Sequence, residues 1–265
     1  MIKKIPSSLF RYQSLISPHT IENLQKRQIW FSRPEKLNDP FDCAAPYLIN
    51  QDATEDEWQF AYKQLFRMAR DGLSKVTAEE IKSRYFSEGK LNQKFKDDYI
   101  KIVIALIDRN PRNYEKIGVV CFSEEPDDIL MWSHYSNGHR GICLEFETKY
   151  FPFNESSRIH RVRYKKNYPV IRLVSLISKT LLYPTPLLTK SIKWKYEKEW
   201  RFLSEHGDTG LQYDAKALKA IYFGCAISNH DTEKIISLPA KSAPRLYRMK
   251  RSEREFKLDW EPYRK

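Results

Sequence analysis

Between Val119 and Glu147 the chain runs VVCFSEEPDDILMWSHYSNGHRGICLEFE, and this stretch constrains the fold more than any other of comparable length. VVCF is a short β-branched and aromatic run. GICLEFE alternates Ile142, Leu144 and Phe146 with Cys143, Glu145 and Glu147, the period of a strand. Between these two strands Asp127 and Asp128 can cap a short helix, ILMWSHYS, which Asn137-Gly138 stops. That helix carries Trp132, His134 and Tyr135 within one turn, with His139 and Arg140 in the exit turn. A surface helix has little reason to combine such residues so densely. A helix wedged between core strands, with its polar tips facing a cleft, does have one, so we read the stretch as the wall of a site.

Strand and helix patterns alternate on either side. Leu9–Leu15 reads as a strand with Phe10 and Tyr12 on one face and Arg11 and Gln13 on the other. Ser17-Pro18 opens a helix, PHTIENLQKR, and Gln28–Ser32 returns as a strand before the turn-rich loop RPEKLNDPFD. Arg11 and Ser32 thus sit where side chains from two strands could meet one ligand, while Asn38 and Asp39 shape a turn. Residues 54–110 change character to three helical patterns. After the opening stretch come a strand with one cationic face (Arg158–Lys166), a helix (VIRLVSLISKTLLY) and an aromatic-rich strand in KSIKWKYEKEWRFLS. That strand is expected to set Tyr196, Lys198, Trp200 and Phe202 on one face and Glu197, Glu199 and Arg201 on the other. LKAIYFG, SNHDTEKIISL and RLYRMKRS read as strand, capped helix and strand. The expectation is a single α+β domain over residues 1–265 with mixed and antiparallel sheets, into which 54–110 is inserted as a helical block.

Charge narrows the partners. The net charge is +12, and residues 158–201 hold twelve Lys/Arg against two acids, a local balance of +10, whereas residues 35–59 hold seven acids and one lysine. Such a sector suits a polyanion, with Arg161, Arg163, Lys165 and Lys166 as nucleic-acid contacts; a solvated surface is the plainer alternative. Cys43, Cys121, Cys143 and Cys225 are scattered singly without metal-ligand spacing, which fits buried thiols in a reducing cytoplasm and no zinc. No apolar run approaches the roughly 20 residues of a membrane span, and MIKKIPSS lacks a secretory h-region, so a cytoplasmic protein without membrane contact is expected. His134 and His139 would not share a helix face, so no shared metal is expected of them. Asp39, Asp42, Glu125, Asp128, Glu197 and Glu199 offer carboxylates for Mg²⁺ under a nuclease reading, although no D…ExK order is present.

Three blocks, FRYQSL…IWFSRPEKLNDPFD, CFSE…ILMWSHYSNGHRGICLEF and KYEKEWRF followed by IYFG, resemble a bacterial domain family of unknown function that occurs in phage-defence and abortive-infection loci. The order of an early strand bearing Arg, a strand ending in Ser and a late strand bearing Glu is also similar to the ADP-ribosyltransferase superfamily. That second resemblance implies a core of two small sheets with NAD, as substrate, bound between them. It makes Arg11 the nucleotide contact and Glu199 the catalytic carboxylate, with Ser32 and Tyr135 at the nicotinamide. Tyr135 and His134 join Glu199 as catalytic candidates, and Tyr12, Asn38, Trp132 and Arg201 join Arg11 and Ser32 around the cofactor. The chain departs from the superfamily pattern in lacking a Ser-Thr-Ser triplet and in placing His134 and Tyr135 on a predicted helix. The function implied is a toxin or effector acting on a protein or nucleic acid, alone or with a partner defence protein. A non-catalytic sensor and a nucleic-acid-binding protein or nuclease are the competing classes.

Overall fold

The computed structural model describes residues 4–44, 48–50, 53–72, 74–109, 116–151, 157–172, 185–238 and 243–264. Its elements are β1 (Ser8–Gln13), α1 (Pro18–Lys26), β2 (Gln28–Phe31), β3 (Leu48–Asn50), α2 (Glu55–Arg70), α3 (Ala78–Tyr85), β4 (Phe86–Ser87), β5 (Lys90–Leu91) and α4 (Gln93–Arg109). There follow β6 (Gly118–Phe122), α5 (Ile129–Tyr135), β7 (Ile142–Glu147), β8 (Ser157–Arg161), β9 (Arg163–Lys165), β10 (Val170–Arg172) and β11 (Thr189–Ser191). The chain ends with β12 (Trp200–Ser204), β13 (Thr209–Gln212), β14 (Leu218–Phe223), α6 (Asn229–Ile236), β15 (Arg245–Arg251) and β16 (Leu258–Pro262). It is an α+β protein with several small mixed and antiparallel sheets, and it divides into two compact units. One comprises residues 1–39, 115–164 and 190–265, the other 40–114 and 165–189.

The first unit holds a five-stranded sheet, β1-β7-β14-β15-β16, and a three-stranded antiparallel sheet, β6-β12-β8. Alternation explains how they share a core. Ile142, Leu144 and Phe146 of β7 fall on one face with Leu9 of β1 and with Ile221 and Phe223 of β14. They join Val120, Phe122, Trp200 and Phe202 of the smaller sheet in one buried cluster. Reciprocal backbone bonds between Phe10 and Ser123 tie β1 to the end of β6, and a second bridge joins Ser32 to Val119. Within the larger sheet β14 and β15 are parallel, a pairing that needs a crossover; α6, capped by Ser228, supplies it. Glycine permits a close approach here, since a Cβ on Gly224 would lie 2.1 Å from the His139 carbonyl oxygen. That contact presses the exit loop of α5 onto the end of β14.

In the second unit α2, α3 and α4 bury Trp58, Ala61, Tyr62, Ile81, Tyr85, Phe95 and Tyr99 in their own cluster. Capping boxes start α2 (Thr54 with Glu57) and α3 (Thr77 with Glu80). A two-stranded parallel pair, β3 with β10, completes it. Among the described residues no helix is long and apolar enough to cross a membrane.

Three sequence expectations change. KYEKEWRF is not one strand: Ile192–Glu197 forms a 3₁₀ turn capped by Ser191, Lys198 adopts a left-handed conformation (φ 46°), and only Trp200 onward is strand. The turn carries Glu197 inward instead of presenting it along a strand face. RIHRVRYKK breaks at Val162, a buried residue, into β8 and β9. Of the helix expected from VIRLVSLISKTLLY, Val170–Arg172 is strand and the rest lies outside the described residues.

Candidate functional site

Strand alternation in β12 builds the centre of the site. Trp200 and Phe202 enter the core, so Arg201 between them faces the other side of the three-stranded sheet, as do its register neighbours Cys121 of β6 and His160 of β8. Glu199, two residues before Arg201, shares that face. The Arg201 guanidinium donates to Glu199 through Nε (2.7 Å) and Nη2 (3.3 Å). The Glu199 peptide is clamped as well, its N–H donating to the Tyr164 hydroxyl (2.8 Å) and its carbonyl accepting from Val162 (3.0 Å). Lys190 of β11 then inserts its ammonium between two carboxylates, 2.5 Å from Glu197 and 3.1 Å from Glu199. Arg201, Glu197, Glu199 and Lys190 are 0, 2, 2 and 6 % exposed, so four charges have been taken out of water together.

The two acids respond in opposite directions. Burial alone would raise Glu199, but Arg201 and Lys190 outweigh it and hold the carboxyl well below the usual carboxylate range. Burial, followed by the charge on Glu199, pushes Glu197 up to about 7 against the pull of Lys190. Near neutrality one carboxylate is therefore fixed as an anion while the other exchanges a proton. A buried network of this kind is a poor investment in stability compared with apolar packing, which makes it a candidate for chemistry. A route to solvent exists: the Tyr135 hydroxyl donates to Glu197 Oε1 at 2.6 Å, and the exposed Asn38 amide donates to the Tyr135 oxygen at 3.4 Å. Burial raises the Tyr135 phenol, so it relays hydrogen bonds without ionising.

Of the residues expected at a site, the fold therefore brings together Glu199, Arg201, Tyr135 and Asn38. Arg11 lies half-buried on β1 with its guanidinium near Cys121 and Tyr213, and burial lowers it to about 10. The Cys121 thiol is in turn pushed up by burial and by Glu199. Arg11 pairs in register with Leu144 of β7. Trp132 is fully buried, donating its indole N–H to the Pro126 carbonyl (2.7 Å) between the rings of Tyr12 and His139. Tyr12 is buried with its hydroxyl on the Glu125 carbonyl (2.8 Å), and Ser32 is engaged through its backbone with Val119. His134 is exposed, its ring centroid 6.0 Å from that of Trp194 with the planes 68° apart. Arg161 pairs with Glu124 at 3.5 Å, Arg163 is exposed, and Lys165 and Lys166 belong to the second unit.

Of the carboxylates considered for Mg²⁺, Glu197 and Glu199 are taken up by Lys190. Asp128 caps α5, Glu125 pairs with Lys198, and among the described residues no group of three metal-binding side chains forms. Sequence reasoning passed over Lys190, Tyr164 and Trp194. Lys190 is a lone lysine in a three-residue strand, and nothing in its neighbourhood signals burial. Trp194 had a visible signal, the alternation of lysine and aromatic residues from Lys193 to Tyr196.

Comparison with known proteins bears on this region alone. No curated protein and no solved structure matched the chain. A family model described as "Protein of unknown function (DUF2971)" matches residues 131–202, a span that runs from α5 to β12 and contains Tyr135, Lys190, Trp194, Glu197, Glu199 and Arg201; over that span the chain is similar to a domain family of unknown function.

Proposed function

We propose that the protein is an ADP-ribosyltransferase-like effector of bacterial anti-phage defence, using NAD as the donor. The observation that carries this reading is the pair of buried carboxylates, Glu199 held as an anion and Glu197 exchanging a proton near neutrality, beside a hydroxyl relay to solvent. Breaking the bond between ribose and nicotinamide develops positive charge on the ribose, and a carboxylate that stays ionised stabilises it. Glu199 has that property. The departing nicotinamide takes the bonding electron pair, the acceptor's nucleophilic atom forms the new bond to the ribose carbon, and the acceptor's proton passes to Glu197. A base near pH 7 is matched to that task. Arg11 supplies a guanidinium for the diphosphate, and the two-sheet core with Arg11 on its first strand supports the assignment. The test is nicotinamide release from labelled NAD. Wild-type protein should release it, and Glu199→Gln, shown folded by its circular dichroism, should not. Equal release by both proteins removes Glu199 from the mechanism, and no release by the wild type removes the activity.

A further inference from the structure

We infer that the turn Ile192–Glu197 is a recognition surface for single-stranded nucleic acid, with Trp194 stacking a base and Lys193 and Lys195 meeting phosphates. The turn belongs to the site just described, and calling the strand the acceptor rests on the transferase reading; the binding itself does not.

The 3₁₀ turn interleaves two residue types. Lys193 and Lys195 are exposed, and no ion pair among the described residues uses either of them. Trp194 and Tyr196, between and after them, are half-buried, with ring centroids 6.0 Å apart. His134 packs on Trp194 from α5 in a T-shaped arrangement, ring centroids 6.0 Å apart, and the Lys190 ammonium lies 5.1 Å from the indole centroid. The indole is thereby fixed in orientation while part of it remains open. Ile192, 48 % exposed, extends the apolar surface at the start of the turn. Held aromatic rings beside ammonium groups that pair with no described acid fit a strand whose bases are unstacked and whose phosphates are exposed. A duplex hides its base faces, so it can use the lysines but not the indole. The position is apt, because the residue after Tyr196 is Glu197, the carboxylate assigned to receive the acceptor's proton.

The experiment is fluorescence anisotropy with a labelled single-stranded deoxythymidine 12-mer and no NAD present. Wild type should bind it, and a duplex of the same length should compete poorly. Trp194→Ala should weaken binding about tenfold, within the range for loss of one stacked base, and Trp194→Phe should recover most of the loss. Replacing Lys193 and Lys195 together by alanine should reduce the slope of log affinity against log salt by about 1.4. No binding by wild type, equal competition by duplex, or unchanged binding by Trp194→Ala overturns the inference. Binding by a protein that releases no nicotinamide sustains it while removing the transferase reading; release of nicotinamide without binding does the reverse.

Discussion

Among the described residues Lys190 is the cation that bridges both buried carboxylates, so replacing it by methionine, similar in length and uncharged, probes the electrostatics of the cluster. Removing one partner of a buried ion pair costs about 3–5 kcal/mol. Glu197 limits that cost, because a carboxyl already raised to about 7 takes up a proton when its cation disappears. The sign follows from linkage. The folded protein binds the Glu197 proton more tightly than the unfolded chain, whose value is near 4.5, so stability falls as pH rises from 4.5 toward the folded value. In wild type that loss is complete near pH 7. In Lys190→Met the folded value moves higher, and the loss continues at up to about 1.4 kcal/mol per pH unit. The expected penalty is about 3 kcal/mol at pH 6 and growing through pH 8 and 9. Urea denaturation followed by tryptophan fluorescence measures it, and Glu197→Gln in the same background should remove the growth with pH. A penalty below about 1 kcal/mol, or one that does not change with pH, refutes the charge assignment.

Glu197→Gln alone should flatten the pH dependence between 4.5 and 7, so that relative to wild type it is less stable at pH 5 than at pH 8 in the same assay. Gly224→Ala places a methyl group 2.1 Å from the His139 carbonyl oxygen and should lower stability by about 3 kcal/mol through forced backbone movement; a loss under about 0.5 kcal/mol would show that the loop yields freely. Thr54→Ala removes the oxygen that accepts from the Glu57 N–H and should cost about 1 kcal/mol, read by amide exchange in the first turn of α2.

Elements whose apolar residues keep a strict period were legible in the sequence. Arg11 against Phe10 and Tyr12, the Ile142–Phe146 alternation, the cap and stop of α5 and the start of α6 all follow from side-chain direction and capping chemistry. Several strands escaped, among them Thr209–Gln212 and Leu258–Pro262, which are too short for their patterns to stand out. Site residues divide in the same way. Glu199 and Arg201 share a face because they are two apart at the start of a strand, which a sequence reveals. Tyr135 meets Glu197, and Lys190 meets both acids, through a turn whose left-handed Lys198 nothing in KYEKEW announces. Trp132 reads somewhat better as core than as shelf, and its complete burial with its indole bonded to Pro126 places it in the core.

The account stands on Glu197 as the proton acceptor near neutrality, and the pH dependence of nicotinamide release from NAD tests this most directly. It predicts an acidic limb near pH 7 for wild type. In Tyr135→Phe the limb should move upward, because the lost hydroxyl hydrogen bond no longer lowers the Glu197 carboxyl. A limb near 4, or one that Tyr135→Phe leaves in place, contradicts it.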